Sequence, residues 1–520
     1  MKTFELIAKT FQGLEEVLAK ELTELGADDI QIGRRMVSFT GDKAMMYRAN
    51  FHLRTAIRVL KPILHFNAKD ADEIYDIVKK RIQWEEYMDV NTSFAVDSVV
   101  YSDEFRHSKF VAYRVKDAIA DYFREKEGKR PSVQVANPDI TLHIHIAQER
   151  CTLSLDSSGE SLHRRGYRQE AVEAPLNEVL AAGMILQTGW KGECDFIDPM
   201  CGSGTLPIEA ALIARNIAPG VFRKEFAFEK WADFDQELFD EIYNDDSAER
   251  EFEHHIYGYD IDWKAVNIAT NNVRAAGLSK DITIERRDMA EFVEPAEKAI
   301  MVTNPPYGER ITTDDLLGLY RAIGERLKHA FKGNDAWVLS YRKECFDKIG
   351  LKASVIIPLF NGALPCEFRE SGEELDKSER PTAERRPLSV RQERSGGLSL
   401  TPSHRGGTPR RDDRRFGDDR RPMNKREMAE RNDSERYAED TNYSSLYERH
   451  HEFAKMQAAR ERKAAKTQEG KREYRGGDKR EYRGGKPAGD KRFSGDKRSQ
   501  RAQRFSNSKP NFKPRKRNED

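Results

Sequence analysis

The sequence predicts an α/β protein built on a doubly wound parallel sheet, with two small α+β units ahead of it and a disordered basic tail behind. Three observations predict this. From Asp195 onward, short apolar strands alternate with helical segments, the pattern of a parallel sheet with helices on both faces. The stretch Asp195-Phe-Ile-Asp-Pro-Met-Cys-Gly-Ser-Gly-Thr reads as a buried strand, a glycine loop and the start of a helix. After Phe368, aliphatic residues become sparse and Arg, Lys, Asp, Gly and Ser dominate. Such a segment cannot bury enough apolar surface to offset the entropy of ordering.

Taken in order, residues 1–60 alternate strand-like and helix-like pieces. Phe4–Thr10 and Met36–Thr40 read as strands. Leu14–Leu25 and Ala44–Leu53 read as helices, the first with Leu14, Val17, Leu18, Leu22 and Leu25 on one face. This is compatible with a small sandwich of ferredoxin-like type. Residues 61–156 form a second α+β unit. Its helices are Ala71–Arg81 and Phe110–Phe123, its strands Ser93–Val99, Ile140–Ile146 and Cys151–Leu155. Residues 157–173 are a basic connector, and 174–369 carry the parallel sheet. The strands expected there are Asp195–Asp198, Ile256–Asp260, Ile282–Arg286, Ala299–Thr303, Ala336–Ser340 and Ser354–Pro358. A last strand, Ala363–Phe368, is expected antiparallel at the sheet edge. An acidic, aromatic insertion over residues 218–254 interrupts the alternation. The tail, 370–520, repeats Lys-Arg-Glu-Tyr-Arg-Gly-Gly at 471 and 479.

Charge is divided unevenly. The whole chain balances 89 Lys and Arg against 89 Asp and Glu. Residues 371–520 hold 41 basic and 27 acidic side chains, leaving 48 and 62 for the body. An acidic body with a basic tail favours a polyanionic partner, and Arg-Gly-Gly with interleaved Tyr suits single-stranded RNA. A solubilising extension is the alternative reading of the tail. The five cysteines (151, 194, 201, 345 and 366) show no paired spacing, so neither disulfides nor a zinc site is expected. No signal peptide and no apolar run of membrane-spanning length is visible, which points to a cytoplasmic setting with no membrane partner. No obligatory protein partner is expected.

The glycine loop defines a nucleotide pocket, and two details decide which nucleotide. A dinucleotide fingerprint needs a third glycine where this chain has Pro207. Asp198, just ahead of the loop, would repel a pyrophosphate and attract an ammonium or sulfonium group. S-adenosylmethionine is therefore expected rather than NAD. Ligands of parallel sheets lie beyond the carboxyl ends of the strands. There Asp260 can accept both ribose hydroxyls, and Asp288 stands near an adenine amino group. The expected cofactor set is Asp198, Pro199, Cys201, Gly202, Gly204, Asp260, Ile261, Asp288, Met289 and Asn304. Any one of these acids could be a helix cap; the ordered set is harder to dismiss.

Asn304-Pro305-Pro306-Tyr307 is the most specific signal. An exocyclic amino group on a base is a poor nucleophile, because its lone pair is delocalised into the ring. The Asn304 amide oxygen and the Pro305 carbonyl can accept its N–H bonds, Pro306 stiffens the loop, and Tyr307 offers a stacking face. Cys201 reads as a small residue lining the loop, because methyl transfer to pyrimidine carbon would need a cysteine near residue 304. For RNA contact, Arg106, Lys109 and Arg114 stand at the start of one helix. Arg164, Arg165 and Arg168 lie in the connector. A polar loop and a plain linker are the alternative readings of these two stretches.

These residues carry a family resemblance over residues 1 to about 369. The catalytic part resembles the class I, Rossmann-like S-adenosylmethionine-dependent methyltransferases acting on amino nitrogens. The part ahead of it looks like a ferredoxin-like piece plus a THUMP domain, an RNA-binding module. With Gly166-Tyr167-Arg168, Ala174-Pro175-Leu176 and Asn304-Pro305-Pro306-Tyr307, the chain is similar to bacterial large-subunit ribosomal RNA guanine-N2 methyltransferases. The resemblance implies 23S ribosomal RNA, or a precursor of the large subunit, as partner. It implies the guanine amino group as methyl acceptor. Some members continue into a second methyltransferase domain that makes 7-methylguanine; no second glycine loop or Asn-Pro-Pro-Tyr follows residue 370 here. Rival readings are a transfer-RNA guanine-N2 methyltransferase, an adenine-N6 methyltransferase, and a non-catalytic RNA-binding assembly factor.

Overall fold

A computed structural model describes residues 2–105, 107–306 and 313–371. Arg106, Tyr307 and the tail from residue 372 onward lie outside these residues. The amino-terminal half contains β1 (Phe4–Lys9), α1 (Glu15–Glu24), β2 (Asp28–Gly33), β3 (Met36–Gly41), α2 (Lys43–His52) and β4 (Arg58–Asn67). It continues with α3 (Ala71–Arg81), β5 (Ser93–Tyr101), α4 (Ser108–Glu127), β6 (Ser132–Val133), β7 (Ile140–Ala147) and β8 (Arg150–Asp156). Local chemistry sets the helix ends. Asp42 caps α2 by accepting the Met45 N–H at 2.8 Å, and Asp70 caps α3 through the Asp72 and Glu73 N–H groups. Lys79, Lys80 and Arg81 complement the α3 dipole in its last turn. Gly128, left-handed at φ +70°, ends α4.

The two amino-terminal units share one eight-stranded sheet, in the order β2-β3-β1-β4-β8-β7-β5-β6. Strand β4 joins them, antiparallel to β1 on one side and to β8 on the other. No strand is expected here from the sequence. In the fold Pro62 falls at a register shift between Pro62 and Leu64, where a ladder tolerates a missing N–H. Strand β2 also escapes the pattern. Its residues are half-exposed or exposed at the sheet edge, so no apolar alternation marks it.

The second half contains α5 (Glu178–Thr188), β9 (Asp195–Asp198), α6 (Thr205–Ala214), α7 (Gln236–Asn244), β10 (Ile256–Asp260), α8 (Trp263–Ala275) and β11 (Ile282–Arg286). It closes with β12 (Ala299–Thr303), α9 (Thr313–Ala330), β13 (Asp335–Ser340), α10 (Lys343–Ile349), β14 (Val355–Asn361) and β15 (Leu364–Ser371). Its sheet runs β11-β10-β9-β12-β13-β15-β14. The first five of these are parallel, and β15 is antiparallel to both its neighbours. The last strand is therefore not at the edge, as its sequence position implies. It inserts between β13 and β14, burying Phe368 against Trp337 at a ring separation of 4.9 Å, and leaves β14 outermost.

The insertion fastens the two halves together. Its Phe226, Phe228, Phe239 and Tyr243 are buried. Phe228 stacks on Tyr47 of α2 at 4.4 Å, and Phe239 and Tyr243 lie edge-on or tilted against Phe51. The Tyr47 hydroxyl accepts the Asp235 N–H at 3.0 Å, and Lys230 reaches Asn137 at 2.6 Å. Phe228→Ala removes a fully buried ring from this contact. It is expected to destabilise the chain by about 3–5 kcal/mol in urea unfolding. A loss below about 1 kcal/mol would mean the halves do not depend on the insertion.

Candidate active site

Strands β11, β10, β9 and β12 are neighbours and parallel, so their carboxyl ends open on one edge of the sheet. Asp288, Asp260, Asp198 and Asn304 follow one another along that edge in the same order. Asp198 closes β9, Asp260 closes β10, Asp288 follows β11 by two residues and Asn304 follows β12 by one.

The glycine loop is laced to this edge. The Cys201 N–H donates to the Tyr259 carbonyl at 2.8 Å, and the Gly204 N–H donates to the Cys201 carbonyl at 2.8 Å. The Gly202 N–H donates to Asp260 Oδ2 at 2.9 Å, and Asp260 Oδ1 accepts the Asp262 N–H at 2.9 Å. Gly204 is left-handed at φ +81°, and a Cβ there would stand 3.2 Å from that of Ala269 on α8. Both facts require glycine. Pro207 sits in the first turn of α6, where its missing N–H costs nothing. It packs over Gly258, whose absent Cβ leaves room for both Pro207 and Cys201. The position of a third fingerprint glycine is thus filled by a proline ring against the sheet.

Asp198 is the most buried acid of the edge, at 1% exposure. Its Oδ1 accepts the Met200 N–H at 3.2 Å and the Thr303 hydroxyl at 3.0 Å. Burial pushes its carboxyl up to about 7, against the pull of these two donors and with the help of the Asp260 charge. Burial also pushes Asp260 above its ordinary range. Two desolvated carboxylates that repel one another favour a cation between them. Cys201 is buried and its thiol is pushed well up, which suits a lining residue rather than a nucleophile.

The other expected pocket residues fall in different roles. Asp288 caps a short turn by accepting the Ala290 N–H at 2.9 Å. The Met289 side chain is buried in one core cluster with Ile197 and Tyr259. Ile261 is exposed and Pro199 buried. Asn304 and Pro306 are half-buried and Pro305 is buried. Thr303, which bonds Asp198 from the adjoining strand, is absent from the sequence reading; its only signal is a polar residue ending the apolar run Ala299-Ile-Met-Val. Among the described residues, no group of His, Cys, Asp or Glu could hold a metal ion.

The cationic residues are corrected in part. Lys109 is exposed on the first turn of α4, and Arg164 is half exposed and paired with Glu160 at 2.8 Å. Arg114 is instead a clamp between helices. It pairs with Asp72 at 2.6 Å and Asp117 at 3.6 Å and lies 4.4 Å over the Tyr75 ring. Arg165 is 2% exposed and cannot face RNA. It donates to Glu209 at 3.4 Å and to the Leu162 and Arg54 carbonyls at 2.8 and 2.5 Å. Arg168 is turned inward to Glu178 at 2.8 Å and to the glycine loop. A sequence shows that arginine is present but not that a buried carboxylate waits for it.

A glycine loop after the first parallel strand, acids at the ends of the next two and a reversed strand near the far edge define a class I methyltransferase. Comparison with known proteins gives the family. An RMKL-like methyltransferase domain matches residues 165–370, a THUMP domain residues 68–156, and an RlmL ferredoxin-like domain residues 5–60. A candidate RNA methyltransferase of Synechocystis sp. is 40% identical over 362 residues, covering 69% of this chain and 94% of that protein. The ribosomal RNA large subunit methyltransferase K/L of Syntrophotalea carbinolica is 42% identical over 371 residues, covering 69% of this chain. The chain spans only about half, 52%, of that protein's length. A candidate methyltransferase solved in complex with SAH has a TM-score of 0.66 at 30% identity, covering 72% of this chain and 100% of that one. The chain belongs to the RMKL-like methyltransferase family.

The raised carboxyl of Asp198 carries a pH signature. Unfolded, the group titrates near its ordinary value of 3.8; folded without ligand it titrates at about 7. Between those values the unfolded chain releases the proton first. The contribution of Asp198 to stability is therefore full below about pH 4 and is lost as pH rises through 7. At about 1.4 kcal/mol per pH unit, the Asp198→Asn variant should gain up to about 4 kcal/mol on the wild type across that window. Urea unfolding of both proteins without ligand, from pH 4 to 8, measures this. Parallel stability curves would show that Asp198 titrates normally.

Proposed function

We propose that this chain transfers a methyl group from S-adenosylmethionine to the exocyclic N2 amino group of a guanine in 23S ribosomal RNA. The observation that carries the reading is the place of Asn304-Pro305-Pro306. It follows β12 directly, beside the strand that ends in Asp198, and Thr303 bonds the two strand ends together. The relative bound to SAH and the relatives named for large-subunit ribosomal RNA support the cofactor and the RNA.

The chemistry of the residues at this edge suits the cofactor. Asp198 and Asp260 offer negative charge to a cationic ligand, and Asp260 stands where ribose hydroxyls can be accepted. The glycine loop presents backbone without a Cβ at 202 and 204. When bound, S-adenosylmethionine supplies an electrophilic methyl on sulfonium. The protein's task is then to hold the acceptor. The Asn304 amide oxygen and the Pro305 carbonyl accept the two N–H bonds of the guanine amino group, drawing its lone pair out of the ring and favouring the nitrogen as it becomes tetrahedral and cationic. Pro305 and Pro306 fix the loop so that these acceptors need no reorganisation. In this reading residues 1–60 and 61–156 hold the RNA, with Lys109 as an exposed contact there and Arg164 as one in the connector. Residues 157–173 connect, and 174–369 catalyse. Among the described residues, no helix is long and apolar enough to cross a membrane, and a cytoplasmic setting on large-subunit precursors suits the reading.

Asn304→Ala tests the positioning role. Loss of one preorganised acceptor should lower single-turnover methyl transfer by about 10²–10³-fold at saturating RNA and cofactor. Affinities for cofactor and RNA, measured separately, should change little. Transfer at the wild-type rate would remove Asn304 from the chemistry. A cofactor affinity that falls as far as the rate would make it a cofactor ligand instead.

A further inference from the structure

The connector threads past the back of the glycine loop. Gly166 bends it at φ +113°, where a Cβ would collide with the Phe222 carbonyl. Tyr167 is buried and donates its hydroxyl to Glu209 at 2.9 Å. Arg168 then spreads its guanidinium over four acceptors. Nε meets Glu178 Oε1 at 2.8 Å and Nη1 meets the Ser203 hydroxyl at 2.8 Å. Nη2 meets the Thr205 hydroxyl at 2.9 Å and the Leu176 carbonyl at 3.2 Å. Ser203 lies between the two loop glycines, and Thr205 opens α6. The following residues are held as firmly. The fully buried Asn272 of α8 accepts the Gln169 N–H at 2.8 Å and donates to the Glu170 and Ser203 carbonyls, both at 2.9 Å.

We propose that Arg168 is a positioning residue for cofactor binding: its guanidinium holds the Ser203 and Thr205 hydroxyls, and so fixes the glycine loop at points the Asp260 bond does not reach. The loop backbone is held by the Gly202 bond to Asp260, the Cys201 bond to Tyr259 and the Asn272 bond to the Ser203 carbonyl, while its two hydroxyl side chains, Ser203 and Thr205, are held by Arg168. Removing Arg168 frees both side chains and loosens a loop with two glycines, the residue type with the most backbone freedom to lose, so that ligand binding must supply more of its order. Arg168 touches no reacting atom. Its segment is the one whose Arg165 grips the Arg54 carbonyl in the amino-terminal half, so the cofactor loop and the eight-stranded sheet share one rigid strap. The inference rests on the reading that this loop holds S-adenosylmethionine.

The test is calorimetric binding of SAH to the full chain, without RNA, for wild type, Arg168→Gln, Arg168→Lys, Ser203→Ala and the double variant Arg168→Gln/Ser203→Ala. Arg168→Gln should raise the SAH Kd about ten- to a hundredfold. Arg168→Lys should recover only part of the loss, because one ammonium cannot serve the fork of acceptors. The double variant should bind no more weakly than Arg168→Gln, since both substitutions break the same bond. In methyl transfer, KM for cofactor should rise more than kcat falls, a split that plain destabilisation does not produce. RNA affinity should stay at the wild-type value. An unchanged SAH Kd in folded Arg168→Gln, or strict additivity in the double variant, would overturn the proposal. Should Arg168→Gln fail to fold, Ser203→Ala decides: a severalfold weaker Kd supports the pin and an unchanged Kd rejects it. A wild-type chain that does not bind SAH would refute the cofactor reading itself, a different outcome from any of these.

Discussion

One hydrogen bond organises the catalytic edge: the Thr303 hydroxyl to the buried carboxylate of Asp198. It ties the strand that opens the cofactor loop to the strand that presents Asn304, and it does so where the sheet gives way to loops. Among the described residues, the Met200 N–H and this hydroxyl offset the burial of Asp198, and the Asp260 charge works against it. A carboxyl in that position is held short of full ionisation.

Around that bond the architecture supplies stiffness. Buried ion pairs contribute little net stability, but removing one partner leaves an uncompensated charge in the interior. Arg165 and Glu209, 2% and 0% exposed in their side chains, form such a pair across the connector. Arg223 reinforces it by donating to the carbonyls of Ser158, Glu160, Ser161 and Arg164. The aromatic insertion closes the same interface from the other side. A connector that reads as a basic linker is, in the fold, held through Arg165, Tyr167 and Arg168 and by Arg223 from outside it.

What the sequence reveals follows from where each signal arises. Strands β9, β10, β11 and β12 are legible to the residue, because each carries apolar positions and ends in, or is followed within two residues by, an acid or an asparagine, the residues proposed for the site. Strand β4 is not legible, since Pro62 hides a bulge that only the pairing with β8 discloses. The place of β15 depends on which neighbour buries Phe368, a long-range fact that spacing does not carry. The aromatic residues at 226, 228, 239 and 243 are visible as a cluster, but their partners Tyr47 and Phe51 lie nearly two hundred residues away. Arg165 and Arg168 mislead for the same reason. Their charge points to a polyanion, while their partners Glu209 and Glu178 sit in helices that a local reading treats as core or surface.

Asn304-Pro305-Pro306, set beside Asp198, is proposed to present a guanine amino group of 23S ribosomal RNA for methylation. Nucleoside mass spectrometry of ribosomal and transfer RNA tests this, comparing cells that lack the chain with cells complemented by wild type or by Asn304→Ala. N2-methylguanosine at one position of 23S ribosomal RNA should disappear with the chain, return with wild type and stay absent or strongly reduced with the variant. Unchanged 23S ribosomal RNA, with a loss of N6-methyladenosine or of a transfer-RNA methylguanosine instead, would contradict it.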